Sequence, residues 1–523
     1  MNRKTLIIGL LIVMGMFMTL LDTTIVDIVI PHMMSAFDAK TEDVQWVIIA
    51  YMIASAVSMP VVGWLGGKIG HRNTYILGIS LFTTMSALCG IAPNLQSMIL
   101  GRVIQGVGEG LAVPMALTLL FEIFPPDKKG LAMGMYAIGA AFGPSLGPTI
   151  GGYLTEHMDW RWVFYVNVIP GILVVYFLTL LLENVKEEEH DDLFDITGFS
   201  LLSISLTTLL IALSKGNSWG WHSEKVVLLF YTSIITAVAF VYVELKVKSP
   251  LINLKLFKYD FFTYSSISRV LFGMGLYASY FMLPLYLERL RGFSTIDAGE
   301  ILFFPAFLTG IVSLITGVLI DKKLISLKTA IISGILIFIY GTHLQSRLDL
   351  VMGKTQIILL LLPWGIGMGI FFPALAQVAL ADFKGEMLRQ SSALQNLLRL
   401  VGGSIGTSLA TFILTSTKDG HSVNMTERIS SAAPQITDYM AKVKAYLYYF
   451  RSTPLPLLEA KAKAILGFLF LKNAFWISFR DVFFFATVCG ILSIIPAIFI
   501  KPKEEKSEEG SSSTADDSVT VNG

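Results

Sequence analysis

Long apolar stretches alternate with short polar connections along almost the whole chain. Windows of membrane-spanning length begin near Leu6, Gln45, Tyr75, Ser97, Leu131, Val163, Ile196, Val226, Phe261, Ala298, Lys328, Gln356, Ala393 and Val482. A helix needs about 20 apolar residues to cross the hydrocarbon core of a bilayer, so this pattern predicts an all-α polytopic membrane protein with about fourteen transmembrane helices. An even number of spans places both termini on the same side.

Basic residues are unevenly divided between the two sets of connections. One set is rich in them and carries Lys68, Arg72, Lys128, Lys129, Lys186, Lys246, Lys248, Lys255, Lys258, Lys322, Lys323, Lys328, Lys384 and Arg389, and both termini add further ones. The opposite connections contain few, Lys215 among them. Because lysine and arginine accumulate on the cytoplasmic side, both termini are predicted to be cytoplasmic.

Composition agrees with a membrane protein and excludes several other classes. The chain of 523 residues is 54% hydrophobic and 15% charged, whereas a soluble protein carries about one quarter of charged residues. The formal net charge of +1 gives no indication of nucleic-acid binding. The two cysteines lie in apolar spans, the histidines lack metal-site spacing, and no Gly-Lys-Ser/Thr phosphate loop is present. No enzyme, metal site or cofactor is therefore predicted.

A weak internal repeat predicts the domain organisation. The run GWLGGK at 63–68 and the run GVLIDK at 317–322 both follow the second span of their own region. This predicts an N-terminal six-helix half at 1–185 and a C-terminal six-helix half at 259–503. An inserted helix pair with its linkers, at 190–258, separates them. The tail at 504–523 is rich in Ser, Glu and Asp, so it is predicted to be disordered and cytoplasmic.

One connection is much longer than the others. Residues 417–478 are predicted to form an outside loop, and loops of this length are usually functional or disordered. Within it, the apolar stretch from Ala464 to Leu471 is too short to span a membrane. We interpret this stretch as an interfacial or docking helix.

Ionisable residues lie inside the apolar spans, where they are energetically costly and usually functional. The first span contains Asp22 and Asp27, and the fourth contains Arg102 and Glu109. The predicted topology places Arg102 at the depth of the aspartates, so a charge pair is expected, with Asp22 as the primary proton site. A static ion pair that only joins two helices is the structural alternative. Glu109, seven residues from Arg102, lies on the same helix face and is an auxiliary acid together with Asp27.

Glycine-rich motifs occur at two further places. The run GWLGGKIGHR at 63–72 combines small residues for close helix contact with basic residues at a helix end, namely Gly63, Lys68, Gly70 and Arg72; its second copy keeps Asp321 and Lys322. The fifth span repeats glycine at four-residue intervals around two prolines, which predicts a flat, kinked helix; its key residues are Gly139, Gly143, Pro144, Gly147, Gly151 and Gly152. Both motifs are predicted to shape conformational change.

These motifs together resemble those of the major facilitator superfamily. The fifth-span run resembles its G-x-x-x-G-P-x-x-G-G antiporter signature, and LDTTIVDIVIP at 21–31 resembles the first-span signature of the fourteen-helix drug:proton antiporters, the EmrB/QacA-type permeases. The run around Arg399, Gly402 and Gly403 is similar to their penultimate span. The chain departs from the family at Gly67, where Asp is usual, and at Asp27, where Asn is usual.

The resemblance implies the fold and a function. It implies a major facilitator fold in the cytoplasmic (inner) membrane, exporting amphiphilic and often cationic drugs or toxic compounds in exchange for protons. The expected partners are a small-molecule substrate, protons and the lipid bilayer. In double-membrane bacteria a periplasmic membrane-fusion adaptor and an outer-membrane channel join them, with residues 460–475 resembling the family's loop helix before the final span. Two alternatives stay open: a dedicated exporter of an endogenous metabolite, lipid or siderophore, and a non-transporting membrane receptor or scaffold.

Overall fold

A computed structural model describes residues 3–183, 193–431, 433–451 and 454–500, which are almost entirely helical and include no strand. The helices before the inserted pair are α1 Arg3–Ile25, α2 Ile30–Ala36, α3 Thr41–Val44, α4 Trp46–Ser58, α5 Val61–Ile69, α6 His71–Gly90, α7 Leu95–Ile123, α8 Lys129–His157, α9 Trp162–Tyr165 and α10 Val168–Leu181. The inserted pair is α11 Ile196–Trp219 and α12 Glu224–Glu244. The remaining helices are α13 Asp260–Leu285, α14 Thr295–Asp321, α15 Leu327–Gln345, α16 Lys354–Leu380, α17 Gly385–Ser431, α18 Ala433–Arg451 and α19 Leu455–Phe499.

The predicted all-α polytopic architecture is confirmed, although fewer described helices than the predicted fourteen pass a test of length and hydropathy. Within the described ranges, 11 helices are long and apolar enough to cross a membrane, or up to 12 if the bent pair α4–α5 is one span. Helices α6 and α8 have spanning lengths of 20 and 29 residues but are less apolar, because α8 is rich in glycine and α6 carries many hydroxyl groups. With these two helices, spans begin close to the predicted positions, except for the last one. The boundary predicted between 185 and 190 and the tail 504–523 lie outside the described residues.

The described residues of the long connection predicted at 417–478 are almost entirely helical and do not form an irregular loop. Helix α17 continues to Ser431, α18 follows, and α19 runs for 45 residues from Leu455 through the last span. At 1.5 Å per residue α19 is about 68 Å long, roughly twice the hydrocarbon thickness. The stretch from Ala464 to Leu471 is therefore part of α19 and not a separate short helix. The search for membrane-spanning windows did not predict these helical segments because it counts apolar residues only. Ala, Lys and Glu have helix propensities as favourable as those of apolar residues such as Leu.

Helix α8 lies between α1 and α14 because its glycines remove side chains from both sides. A Cβ on Gly143 would lie 2.8 Å from Leu20 Cβ of α1, and one on Gly134 would lie 2.7 Å from the Ser313 carbonyl of α14. Helix α8 runs unbroken through Pro144 and Pro148. Pro148 has no N–H to donate to the Pro144 carbonyl. Thr24 Oγ1 donates to this carbonyl at 3.1 Å, which joins the α8 proline region to α1.

Gly147→Ala is expected to lower the thermal stability of the detergent-solubilised protein. The new Cβ would meet Thr24 and would lie 2.9 Å from the Ile25 nitrogen; such overpacking costs about 1–3 kcal/mol. Gly467→Ala is the matched control, because it makes the same change in α19 where nothing lies within 4 Å. The control gains helix propensity of about 1 kcal/mol and should not unfold earlier. Equal melting temperatures of the two variants would contradict the predicted packing of α8 on α1.

The inserted pair contacts both flanking halves through α11. Lys215 Nζ donates to Gln45 Oε1 at 2.7 Å, and Ser408 Oγ of α17 donates to the Leu213 carbonyl at 2.9 Å. Lys215 was counted above as part of an outside connection, but it lies inside α11 with 1% exposure. Helix α12 packs on α11, where Ser205 and Ser233 exchange hydrogen bonds with each other's carbonyls.

Candidate functional site

Asp22 lies near the end of α1 and is completely buried. Its Oδ2 accepts a hydrogen bond from Arg102 Nη1 of α7 in a buried ion pair. Its Oδ1 accepts from Asn167 Nδ2 at 3.0 Å and from Gln105 Nε2 at 3.3 Å. Both carboxylate oxygens are thus occupied by donors from residues distant in sequence.

Arg102 is 1% exposed and held by several further contacts. Its Nη1 also donates to Gln105 Oε1 at 2.8 Å, and its Nε donates to the Val47 carbonyl at 3.2 Å. The guanidinium carbon lies 3.9 Å from the centre of the Tyr51 ring, a cation–π geometry. The structure therefore confirms the predicted contact between Asp22 and Arg102.

Protonation of Asp22 would alter this network. A buried charge pair is stable only while both partners are present and their remaining donors and acceptors are satisfied. Proton binding to Asp22 would remove its negative charge and leave the Arg102 guanidinium without a counter-ion. A single proton would therefore weaken the two hydrogen bonds that Arg102 and Gln105 of α7 donate to Asp22 of α1. Gln105, Asn167 and Tyr51 were not expected at this site from the sequence, although Gln105 follows Arg102 by one helical turn and could have been found by that spacing.

Glu109 is 4% exposed and lies deeper along α7 than Arg102. Its carboxylate lies beside the hydroxyls of Ser55 and Tyr51, and it interacts electrostatically with Arg399 of α17. The Tyr51 hydroxyl also donates to the Thr19 carbonyl of α1 at 3.3 Å. The Tyr51 side chain therefore extends from the Asp22–Arg102 pair to Glu109. The interaction with Arg399 shows that Glu109 lies near the second half.

Asp27 interacts electrostatically with Arg102 but makes no hydrogen bond with the described residues of the network around Asp22. It lies in a 3-10 turn, Val26–Val29, that follows α1, and its side chain is exposed. Asp27 accepts no hydrogen bond from any residue that the structure describes. Five residues separate Asp27 from Asp22, so the two carboxylates point in different directions around the helix. The structure thus places one of the two first-span acids in a buried pair and the other at an accessible surface.

The second-half motif lets α17 pack closely against α13. A Cβ on Gly402 would lie 2.9 Å from the Val270 carbonyl, and one on Gly403 would lie 3.0 Å from the Tyr277 ring. Arg399 Nη1 donates to the Tyr277 hydroxyl. A second arginine, Arg269, is 4% exposed in α13 and was missed by the sequence analysis. The rule that singled out Arg102, an arginine inside an apolar span, would have identified it.

The first glycine-and-basic motif lies against the start of α17. Gly70 has φ of 87° between α5 and α6, a conformation that favours glycine. A Cβ on Gly63 would lie 3.0 Å from Gln390 Cγ of α17. Lys68 Nζ lies 4.9 Å from the centre of the Trp64 ring, and Arg72 donates to the Thr179 carbonyl. Small and basic residues of this motif therefore support helix contacts at one end of the molecule.

A chain of polar contacts crosses between the halves at the same end. Arg389 Nε donates to the Gly63 carbonyl at 3.1 Å, and Arg389 Nη1 donates to His71 Nε2 at 2.7 Å. His71 Nδ1 lies 2.6 Å from Glu122 Oε2. Because Nε2 accepts from arginine, Nδ1 must carry the proton that is donated to Glu122. The unusual Gly67 fits this arrangement, since a Cβ there would lie 3.2 Å from Arg389 Nη2.

Asp321 of the second motif copy also contacts the first half at this end. Its Oδ1 accepts from the Gly130 N–H at 2.7 Å and its Oδ2 accepts from the Leu131 N–H at 2.9 Å. A carboxylate at the start of α8 interacts favourably with the free N–H groups and with the helix dipole. The neighbouring Lys322 is exposed and makes none of these contacts.

A crevice of about 450 Å³ lies elsewhere, between α6 and α10. It is lined by Ser, Thr, Tyr and aliphatic side chains, Thr83 and Tyr176 among them, and by no charged residue. It therefore contains none of the chemistry found around Asp22, and we assign the functional site to the charged network. Within the described part of the chain no group of three or more His, Cys, Asp or Glu residues could hold a metal ion.

Comparison with known proteins agrees with this architecture. The family description of the Major Facilitator Superfamily matches residues 12–407, so the chain belongs to this superfamily of membrane transporters and is not an enzyme. It is 31% identical over 433 residues to the uncharacterized MFS-type transporter YhcA of Bacillus subtilis (strain 168), covering 83% of this chain and 80% of that protein. It is 26% identical to the multidrug export protein EmrB of Haemophilus influenzae, covering 95% and 96%. It is 29% identical to the fatty acid resistance protein FarB of Neisseria gonorrhoeae, covering 82% and 83%.

Solved structures show the same fold. The proton:xylose symporter XylE aligns with a TM-score of 0.55 at 14% identity, covering 95% of both chains. A bacterial homologue of the human lysosomal transporter Spinster aligns with a TM-score of 0.52 at 16% identity, covering 96% of this chain and 98% of that chain. Both confirm the all-α major facilitator fold predicted from the sequence.

Proposed function

We propose that this protein exports toxic amphiphilic compounds across the cytoplasmic membrane in exchange for protons. The observation that carries the proposal is the buried pair of Asp22 and Arg102, because its carboxylate can take up a proton only by breaking a bond between two helices. A transporter needs this link between ion binding and helix packing. A receptor or scaffold would have no need of it, and a buried charge pair is weak as a purely stabilising element.

The contacts between the halves support an alternating mechanism. Polar contacts that involve Asp321 and Arg389 tie the halves together at one end. Parallel-repeat transporters work by rocking one half against the other around a central site. We propose that the halves are residues 1–185 and 259–503, with residues 190–258 inserted between them. The tied end is the cytoplasmic one, on the side of both termini.

The relatives point to the class of substrate. The names of several relatives describe multidrug export, and FarB is named for fatty acid resistance. We therefore propose small amphiphilic toxic compounds, which partition into membranes and need active removal. A dedicated exporter of an endogenous metabolite, lipid or siderophore would share the coupling site, and a panel of substrates separates it from a drug exporter.

Inverted membrane vesicles test the proposed function. Vesicles that contain the protein should accumulate an amphiphilic fluorescent compound when their interior is made acidic, and accumulation should stop when an ionophore collapses the pH gradient. Vesicles without the protein provide the background. If a panel of cationic, neutral and anionic amphiphiles shows no accumulation that depends on both the protein and the gradient, the proposal is wrong.

The helical extension suggests a further partner in the proposed export route. We use the name helical extension for the described residues within 424–472 of α17, α18 and α19, at the end opposite Arg389. In it, Leu447, Leu458 and Ala462 pack α18 against α19. Phe468 and Leu471 are 64% and 54% exposed in this extension. We propose that the extension projects to the outer side and contacts a periplasmic membrane-fusion adaptor, which connects to an outer-membrane channel in double-membrane bacteria.

Replacing residues 424–472 by a short Gly/Ser linker should leave transport in vesicles intact and impair drug resistance of whole cells. These end points keep the contact between His421 and Asp481 and the hydrogen bond from Trp476 Nε1 to the Leu348 carbonyl. The matched control is the double variant Phe468→Ser/Leu471→Ser, which removes the exposed apolar surface and keeps the helices. Loss of vesicle transport in both variants would assign the extension to the transport cycle and contradict the adaptor proposal.

A further inference from the structure

Two arginines inside the second half have donors that no residue uses. Arg269 is 4% exposed and lies nine residues after the start of α13. Its Nε has no hydrogen-bond partner, and none of the ion pairs between described residues involves its guanidinium. The Nε of Arg399 is buried without a partner as well. Buried arginine normally binds a carboxylate, a phosphate or several carbonyls, so both side chains have donors available for a ligand.

Helix packing brings these two arginines into one site. A Cβ on Gly273 of α13 would lie 4.0 Å from the Arg399 carbonyl, and a Cβ on Gly402 of α17 would lie 2.9 Å from the Val270 carbonyl. The turns that carry Arg269 and Arg399 are therefore in direct contact. The two guanidiniums are close enough to interact electrostatically.

Three hydrogen bonds hold the polar groups around this arginine pair. Arg399 Nη1 donates to the Tyr277 hydroxyl. The Tyr136 hydroxyl of α8 donates to Asn396 Oδ1 at 2.9 Å, so the first half contributes to the same site. One helical turn from Arg269, Ser266 Oγ accepts from Gln395 Nε2 at 2.8 Å. The arginines thus lie in an ordered polar layer where the two halves meet.

The site lies deep in the membrane. Arg399 follows the start of α17 by fourteen residues, and Glu109 precedes the end of α7 by fourteen. These distances correspond to about 21 Å of helix from the end at which Arg389 contacts Gly63. A free ion at this depth is expensive, and the charge of each group must be matched by a partner.

The charges of this site do not balance. Glu109 is the acid that interacts with Arg399, and no acid among the described residues interacts with Arg269. Arg102, the next cation on α7, is already paired with Asp22. Two positive charges and one negative charge leave the site one anion short, which repels a cationic ligand and attracts an anionic one.

An aromatic surface continues from the charged groups. The rings of Tyr277 and Tyr280 have centroids 6.4 Å apart, and Tyr280 lies 4.9 Å from the Trp364 ring. Tyr277 and Tyr280 are partly accessible although they lie in the middle of α13. Aromatic side chains next to a few convergent polar groups are typical of sites for amphiphilic ligands.

We propose that Arg269 and Arg399 bind the carboxylate of an amphiphilic organic anion, whose apolar part lies on Tyr277 and Tyr280. This proposal rests on the proposed export function and specifies the charge of its substrate. It reverses the sign expected from the family resemblance, which implied cationic compounds. The carboxylate would accept hydrogen bonds from the unused guanidinium donors and supply the missing negative charge.

Three probes with the same apolar body test the proposal by binding. The probes are 1-pyrenebutanoate, its methyl ester and the corresponding pyrenebutyl trimethylammonium ion, and fluorescence anisotropy measures their affinity for the full chain in nanodiscs. The wild type should bind the anion at least about 10-fold more tightly than the neutral ester. Tighter binding of the cation than of the anion would overturn the proposal.

Variants locate the binding to the arginine pair. Arg269→Gln and Arg399→Gln should each weaken anion binding by about 10-fold and leave ester binding unchanged, and Arg269→Lys should restore part of the loss because it keeps the charge. The control Arg347→Gln removes an exposed arginine at the end of α15 and should change nothing. Unchanged anion binding in both glutamine variants would contradict the assignment.

Binding and transport fail separately in this design. If the anion binds as expected but a pH gradient drives no accumulation of any probe, the export function is wrong and the anion site stands. If vesicles accumulate the cation and not the anion, the export function stands and the anion site is wrong. Monodisperse elution and wild-type melting temperature of each variant exclude misfolding as the cause of lost binding.

Discussion

Asp22→Asn is expected to abolish uphill transport and to leave downhill exchange of substrate in place. Asparagine keeps the shape of the side chain and can still accept a hydrogen bond from Arg102, but it cannot take up a proton. Accumulation in vesicles with an acidic interior should fall to the level of vesicles without the protein. Counterflow between equal concentrations of labelled and unlabelled substrate, which needs no proton gradient, should persist.

The matched control for this variant is Asp260→Asn, which makes the same change at an exposed position at the start of α13. It should accumulate substrate like the wild type. If Asp22→Asn also accumulates substrate against its gradient at the wild-type rate, Asp22 is not the coupling site and the buried pair is a static connection between α1 and α7.

Arg102→Ala should have the largest effect on stability of any single substitution in the site. It leaves the Asp22 carboxylate buried with only the amides of Gln105 and Asn167. Breaking one side of a buried ion pair typically costs about 3–5 kcal/mol. We expect a lower melting temperature at neutral pH, partial recovery at acidic pH, where Asp22 is protonated and needs no counter-ion, and loss of transport.

The double variant Asp22→Asn/Arg102→Ala separates stability from coupling. Because the double variant has no buried carboxylate that needs a counter-ion, its melting temperature should be close to that of the wild type. Uphill transport should still be absent. A double variant as unstable as Arg102→Ala would show that Arg102 acts mainly through Val47 and Tyr51 instead of through Asp22.

The spans and the central charge pair could be predicted from the sequence because both follow from single physical rules. Apolar length places each span, and burial of Asp22 and Arg102 demands that opposite charges meet. The glycine spacing of the fifth span correctly indicated a close helix contact, which the structure shows to be a contact with α1. These predictions needed only the position of a residue along its own helix.

The other partners depend on how helices are rotated and arranged. Asn167 reaches Asp22 from 145 residues away, and Arg389 binds Gly63 across 326 residues. Neither contact leaves a periodic signal in the sequence. Lys215 was assigned to a connection because its charge ends an apolar window, whereas inside the fold its ammonium group donates hydrogen bonds to Gln45 Oε1 and to the Glu42 carbonyl.

Proton movement on addition of substrate tests the central claim most directly. Inverted vesicles with an acidic interior are loaded with a quenched pH-sensitive dye, and each probe is added to wild type and to Asp22→Asn. The account predicts that a transported probe dissipates the gradient and restores fluorescence in the wild type, with no change in Asp22→Asn. Equal recovery of fluorescence in both proteins, or no recovery in the wild type while substrate still accumulates, would contradict proton coupling through Asp22.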